Sequence, residues 1–161
     1  MNVGTSGTVI TAQSGGSVGI GSTLPTATLD IGGHTKFKTY SESVSSPSIA
    51  SNEVTLDLSE AQTFTITANA NINSFILTNP KSGSSSFTIK ILQDGIGNRS
   101  VGIDTFKTIG GASIPVYWPG GIVPIVTTTA NRSDIYSFKL FDGDNVTSSG
   151  LYGVVGGQNF V

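Results

Sequence analysis

The chain has 161 residues, room for one domain and an appendage, and only 11% of them are charged, so the surface cannot be built from ion pairs. Neutral polar groups must cover it instead: there are 22 serines, 20 threonines and 21 glycines, while a mean hydropathy of +0.13 and a net charge of −2 argue against a disordered linker. Its eight basic residues are scattered singly, which excludes a nucleic-acid or anionic-membrane footprint, and the absence of cysteine excludes disulfide staples and thiolate metal sites.

Residues 1–40 read as an extended, glycine-rich arm. The opening "MNVGTSGTVITAQSGG" has neither a charged n-region nor a continuous apolar core, so a soluble protein without a Sec-type signal is expected. No run of 18 apolar residues follows, and no membrane insertion is expected. The arm contains "GGSVGIG" and "LPTATLDIGG", whose apolar residues Val18, Ile20, Leu24, Leu29 and Ile31 line a stripe too narrow for a core. Such a stripe is expected to be ordered only against copies of itself. The serine-rich stretch "SESVSSPSIAS", residues 41–51, is predicted to be a linker interrupted by Pro47.

From residue 52 to 161 apolar and polar residues alternate with period two. Val54, Leu56 and Leu58 share one face, as do Phe64 and Ile66, then Phe87, Ile89 and Ile91, then Tyr136, Phe138 and Leu140. Serine, threonine or lysine fills the other face. Turn signals separate these runs at "NPKSGS", "DGIGN", "WPGG" and "DGDN". The pattern predicts an all-β chain, an antiparallel β-sandwich of jelly-roll-like type. "SEAQ" at 59–62 offers one helical turn at most.

Few constellations carry chemistry. His34 is the only histidine, follows a double glycine, and has no acidic neighbour in sequence. "DGDN" (Asp142–Asn145) has the alternating oxygens of a calcium loop but lacks its closing glutamate, and Asp-Gly is ordinary hairpin chemistry. "GGSVGIG" lacks the spacing of a dinucleotide cradle. Apart from the two aspartates of "DGDN", Asp57 and Glu60 are the nearest obvious acidic pair of the sandwich, and a hydrolase pair would have to assemble from separate strands. No catalytic residue, metal ligand or cofactor is therefore expected, and the chain is read as not an enzyme. Tyr117 and the lone Trp118 in "VYWPGG" stand out as a possible ligand platform or, alternatively, a core anchor before a tight turn.

Two stretches resemble a known family. "SVGIGSTLPTATLDIGG" is similar to the "VGIGT-x-P-x-x-x-LD-x-x-G" segment of phage tail fibres and related virion appendages, matching at Val18, Gly19, Ile20, Gly21, Pro25, Leu29, Asp30 and Gly33. The remainder resembles a C-terminal sandwich of marine cyanophage structural proteins, with Trp118–Gly121 as its turn, then Ala130, Asn131 and Asp134, and finally Gly157 with Gln158. The resemblance implies a homotrimeric virion protein, assembled in the host cytoplasm, whose arm contacts other tail or capsid proteins and whose knob meets a host-surface glycan or protein. The shortness of the arm leaves open a capsid decoration or head-fibre role. A carbohydrate-binding module or polysaccharide-degrading enzyme is the remaining alternative. Burial of a narrow stripe among three chains gives a separate physical reason for a trimer.

Overall fold

The computed structural model describes residues 10–161, and the chain divides into two compact units, Met1–Ser41 and Glu42–Val161. In the first unit β1 (Ile10–Ala12) turns through Gln13–Ser17 onto β2 (Val18–Ile20), antiparallel, with Ile10 opposite Ile20. The turn closes through the Gln13 N–H on the Ser17 carbonyl at 2.9 Å, with Gly16 at φ +86°. A loop then brings β3 (Leu29–Ile31) parallel to β2, with Val18 opposite Leu29 and Ile20 opposite Ile31.

This small sheet corrects the expectation of an extended arm. Within one chain, residues 17–33 hydrogen-bond to one another, so their backbone needs no neighbouring copy to be paired. Three strands of three residues nevertheless have little area to offer their own side chains.

The second unit begins inside the stretch expected as a linker. Val44–Ser45 is β4, paired with β6 (Thr63–Ala68), and Ala50 bridges Glu53 at the start of β5 (Glu53–Asp57). From here the chain passes alternately between two sheets. β4, β6 and β8 (Ser85–Gln93) lie in one sheet, parallel to each other, while β5, β7 (Ser74–Thr78) and β9 (Phe106–Thr108) lie parallel in the other. Parallel neighbours need a crossover, and here each crossover is a strand of the opposite sheet. The result is a flattened coil of three turns.

The remaining strands complete the sheets. β10 (Ser113–Ile114) runs antiparallel to β9, giving a four-stranded order β10-β9-β7-β5. β11 (Val116–Tyr117), β12 (Ser133–Leu140) and β13 (Leu151–Phe160) extend the other sheet to β11-β13-β12-β8-β6-β4. A 3-10 turn over Pro119–Gly121 and a one-turn helix, α1 (Val146–Ser149), are the helical pieces among the described residues. The fold is β-rich as expected, but its sheets are mixed rather than antiparallel.

Side-chain direction follows the predicted alternation. Val54, Leu56, Phe64, Ile66, Phe87, Ile89, Ile91, Tyr136, Phe138 and Leu140 are all buried. Register stacks them: Val54 stands beside Phe75 and Phe75 beside Phe106, while Phe64 stands beside Ile89 and Ile89 beside Tyr136. The Phe75 and Phe106 rings stack at 5.0 Å, and Phe106 reaches Phe138 of the opposite sheet, also at 5.0 Å. Aromatic contacts at this spacing add to burial and fix the two sheets against each other.

Candidate functional site

In the first unit the residues singled out in the sequence lie on β2, on β3 and in or just after the loop that joins them. Asp30 reaches back across it, its carboxylate accepting from the Thr26 N–H at 3.0 Å and the Ser22 hydroxyl at 3.2 Å. Gly19 is buried, and a Cβ there would strike the Ser22 carbonyl; Gly21 takes φ +68°. Val18 and Pro25 are partly buried, whereas Ile20 and Leu29 stay largely outside, and Gly33 faces open space. Glycine and aspartate thus shape the loop, and the apolar residues are left on its surface: Leu24 is 78% exposed and Leu29 54%. His34 is exposed as well, beyond the last strand of this sheet.

In the second unit Trp118 and Tyr117 separate. Trp118 is buried, its ring edge-on to Phe138 at 5.6 Å and to Tyr136 at 6.1 Å, so it anchors the core. The ring lies against Gly153, where an added Cβ would sit 2.7 Å from its Cη2 and Cζ3 atoms. Its Nε1 is buried and makes no hydrogen bond. Tyr117 faces outward with Tyr152 at 5.0 Å, and Phe141 stands edge-on to Tyr152 at 5.2 Å. Beside them Tyr117, Trp118, Pro119, Tyr152, Gly153 and Val154 line a shallow depression of about 290 Å³.

A buried polar cluster escaped the sequence reading. Asp134 occupies an inward position of β12, opposite Ile91, and is almost wholly buried. One carboxylate oxygen accepts from the Thr127 N–H at 2.7 Å and the Tyr136 hydroxyl at 2.9 Å; the other accepts from the Asn159 N–H at 2.8 Å. Gln158 donates through Nε2 to the Ile125 carbonyl at 2.6 Å and toward the Tyr136 hydroxyl at 2.9 Å and Asp134 at 3.2 Å. Burial alone pushes the Asp134 carboxyl up, but the Thr127 and Asn159 N–H groups and the Tyr136 hydroxyl outweigh it and hold the carboxyl below its ordinary value. Burial and the adjacent carboxylate push the Tyr136 phenol up. The signal that would have found this cluster is a charged residue in phase with Tyr136, Phe138 and Leu140. Its effect is to tie the end of β13 and the 125–127 segment to β12.

Four further carboxylates, Asp142, Asp57, Asp94 and Glu53, are engaged in the same structural way. Asp142 accepts from the N–H groups of Asp144 and Asn145, so "DGDN" is a turn, as its Asp-Gly chemistry suggested. Asp57 takes the Ser59 N–H at 2.8 Å and both of its oxygens accept from the Asn79 amide, while Glu60 is exposed. Asp94 pairs with Arg99 at 2.9 Å and caps the Ile96 and Gly97 N–H groups. Glu53 pairs with Lys107 and accepts from Ser74. Among the described residues no three histidine or acidic side chains are grouped to hold a metal, and no helix is long and apolar enough to cross a membrane.

No family model, curated protein or solved structure matches the chain.

Proposed function

We propose that the protein is a non-enzymatic phage virion component, a short homotrimeric fibre or knob of the tail or particle surface. In this reading the first unit joins copies and attaches them to other virion proteins, and the second, a β-sandwich knob, meets a host-surface glycan or protein. The observation that carries it is the first unit's imbalance: among its described residues the sheet comprises nine, while Leu29 in the sheet and Leu24, Phe37 and Tyr40 outside it are each more than half exposed. Apolar side chains in such density call for a covering surface, and symmetric copies supply one. The engagement of Glu53, Asp57, Asp94, Asp134 and Asp142 in pairs and turns supports the non-enzymatic part. Several copies per particle make individually weak attachment effective.

Gold-labelled antibody against the second unit, applied to intact particles, tests the assignment. Label at the tail is expected for an attachment fibre and label over the head for shell decoration. Particles bearing no label would remove the virion reading altogether.

A further inference from the structure

The outer face of the six-stranded sheet changes character across its width. Over β6, β8 and β12 it presents mainly polar residues, Thr63, Thr65, Thr88, Lys90, Ser137 and Lys139, with Leu92 and Ile135 in the same pleat phase. At β13 it becomes Tyr152 and Val154, which stand across from Lys139 and Ser137. A second segment runs beside β13 in the same direction: Tyr117 pairs with Tyr152 at one end, and the Ile125 carbonyl meets Gln158 at the other. Along it Ile122 is 76% exposed and Ile125 89%.

We propose that this side of the second unit is a self-association surface whose occupant is the same side of other copies of the chain, gathered around their common symmetry axis. The charge pattern selects that occupant. No charged residue occurs from Ala112 through Asn131 or from Asn145 through Val161. In a symmetric contact each group near the axis meets its own copy, so charges there repel, and a charge-free apolar face is self-complementary. A glycan requires convergent polar side chains, and the side chains lining the adjoining depression carry only two tyrosine hydroxyls and the buried Nε1 of Trp118. Within residues 117–125 and 152–161, Tyr117, Ile122, Ile125, Tyr152, Val154 and Phe160 are exposed, whereas Trp118 and Gly153 are buried and belong to the core. The proposal rests on the reading of this chain as a self-assembling protein and adds a contact that the first unit does not make.

The test compares the full chain with I122D/I125D and, separately, L24D/L29D, by native mass spectrometry and sedimentation over a concentration series. Near-ultraviolet dichroism of Trp118 verifies that each variant is folded. Both isoleucines project outward, so I122D/I125D is expected to fold and to weaken association roughly tenfold or more, because each new carboxylate faces its own copy. Unchanged association in folded I122D/I125D overturns the surface, and if L24D/L29D alone dissociates the oligomer, the proposed function survives without it. A wild-type chain monomeric at its highest soluble concentration overturns the surface too, whatever the particle labelling shows. Shifts of the Ile125 and Val154 methyl resonances on titration with neutral oligosaccharides, in a chain that stays monomeric, would likewise overturn it in favour of a glycan.

Discussion

Asp134 shows how much one side chain can organise. Its carboxylate accepts from residues before, within and after its own strand, so Asp134→Asn replaces an acceptor by an amide whose N–H groups face other donors. Leaving one such buried donor unpaired costs roughly 1–3 kcal/mol, and chemical denaturation of the variant is expected to show at least that loss. Acid should act through the same group. Because its folded-state carboxyl lies below the ordinary value, the stability it contributes is present above the unfolded value and disappears as pH falls through the folded one. Asp94, held down by Arg99, Asp57, held down by Ser59 and Asn79, and Glu53, held down by Lys107, have the same sign. Thermal melts are therefore expected to be level from neutral pH to about pH 5 and to fall steeply below about pH 4, with a shallower fall in Asp134→Asn. A melting temperature rising toward acid would contradict this assignment.

Among the elements, β13 depends on a missing side chain. Gly153 lets the Trp118 ring close over the strand, and Gly153→Ala would drive a methyl into that ring. Overpacking of this kind costs roughly 1–3 kcal/mol, and it should also alter the near-ultraviolet signal of the lone tryptophan. The inward residues of β5, β6, β8 and β12 were legible in the sequence because pleat direction depends only on period two. Strand partnership was not legible, since Phe64 and Ile66 alternate identically whether the neighbouring strand runs parallel or antiparallel. β7 was missed because Phe75, Ile76 and Leu77 form an unbroken apolar run, and β13 because three glycines blur its pattern. Of the candidate site, the exposed tyrosine and the loop-shaping Gly19, Gly21 and Asp30 could be singled out in advance. The meeting of Asp134 with Gln158 could not be derived from periodicity, because 24 positions and a strand reversal separate them.

At the scale of the whole molecule, both sheets of the second unit draw all their strands from residues 44–160. A chain restricted to residues 42–161 is accordingly expected to unfold cooperatively within a few degrees of the full chain's midpoint; failure to fold would mean that the first unit contributes to the core. The winding of the coil has a further consequence. Its first turn exposes β4 and β5 as the outer edges of the two sheets, a template on which strands of other molecules could continue the coil indefinitely. β4 pairs over only Val44 and Ser45, with Pro47 close behind, and β5 carries an acidic residue at each end, Glu53 and Asp57. Stacking one coil on the next would thus meet a truncated rung on one sheet and, on the other, a strand with a carboxylate at each end already engaged within its own chain. The same feature that starts the fold therefore discourages end-to-end polymerisation.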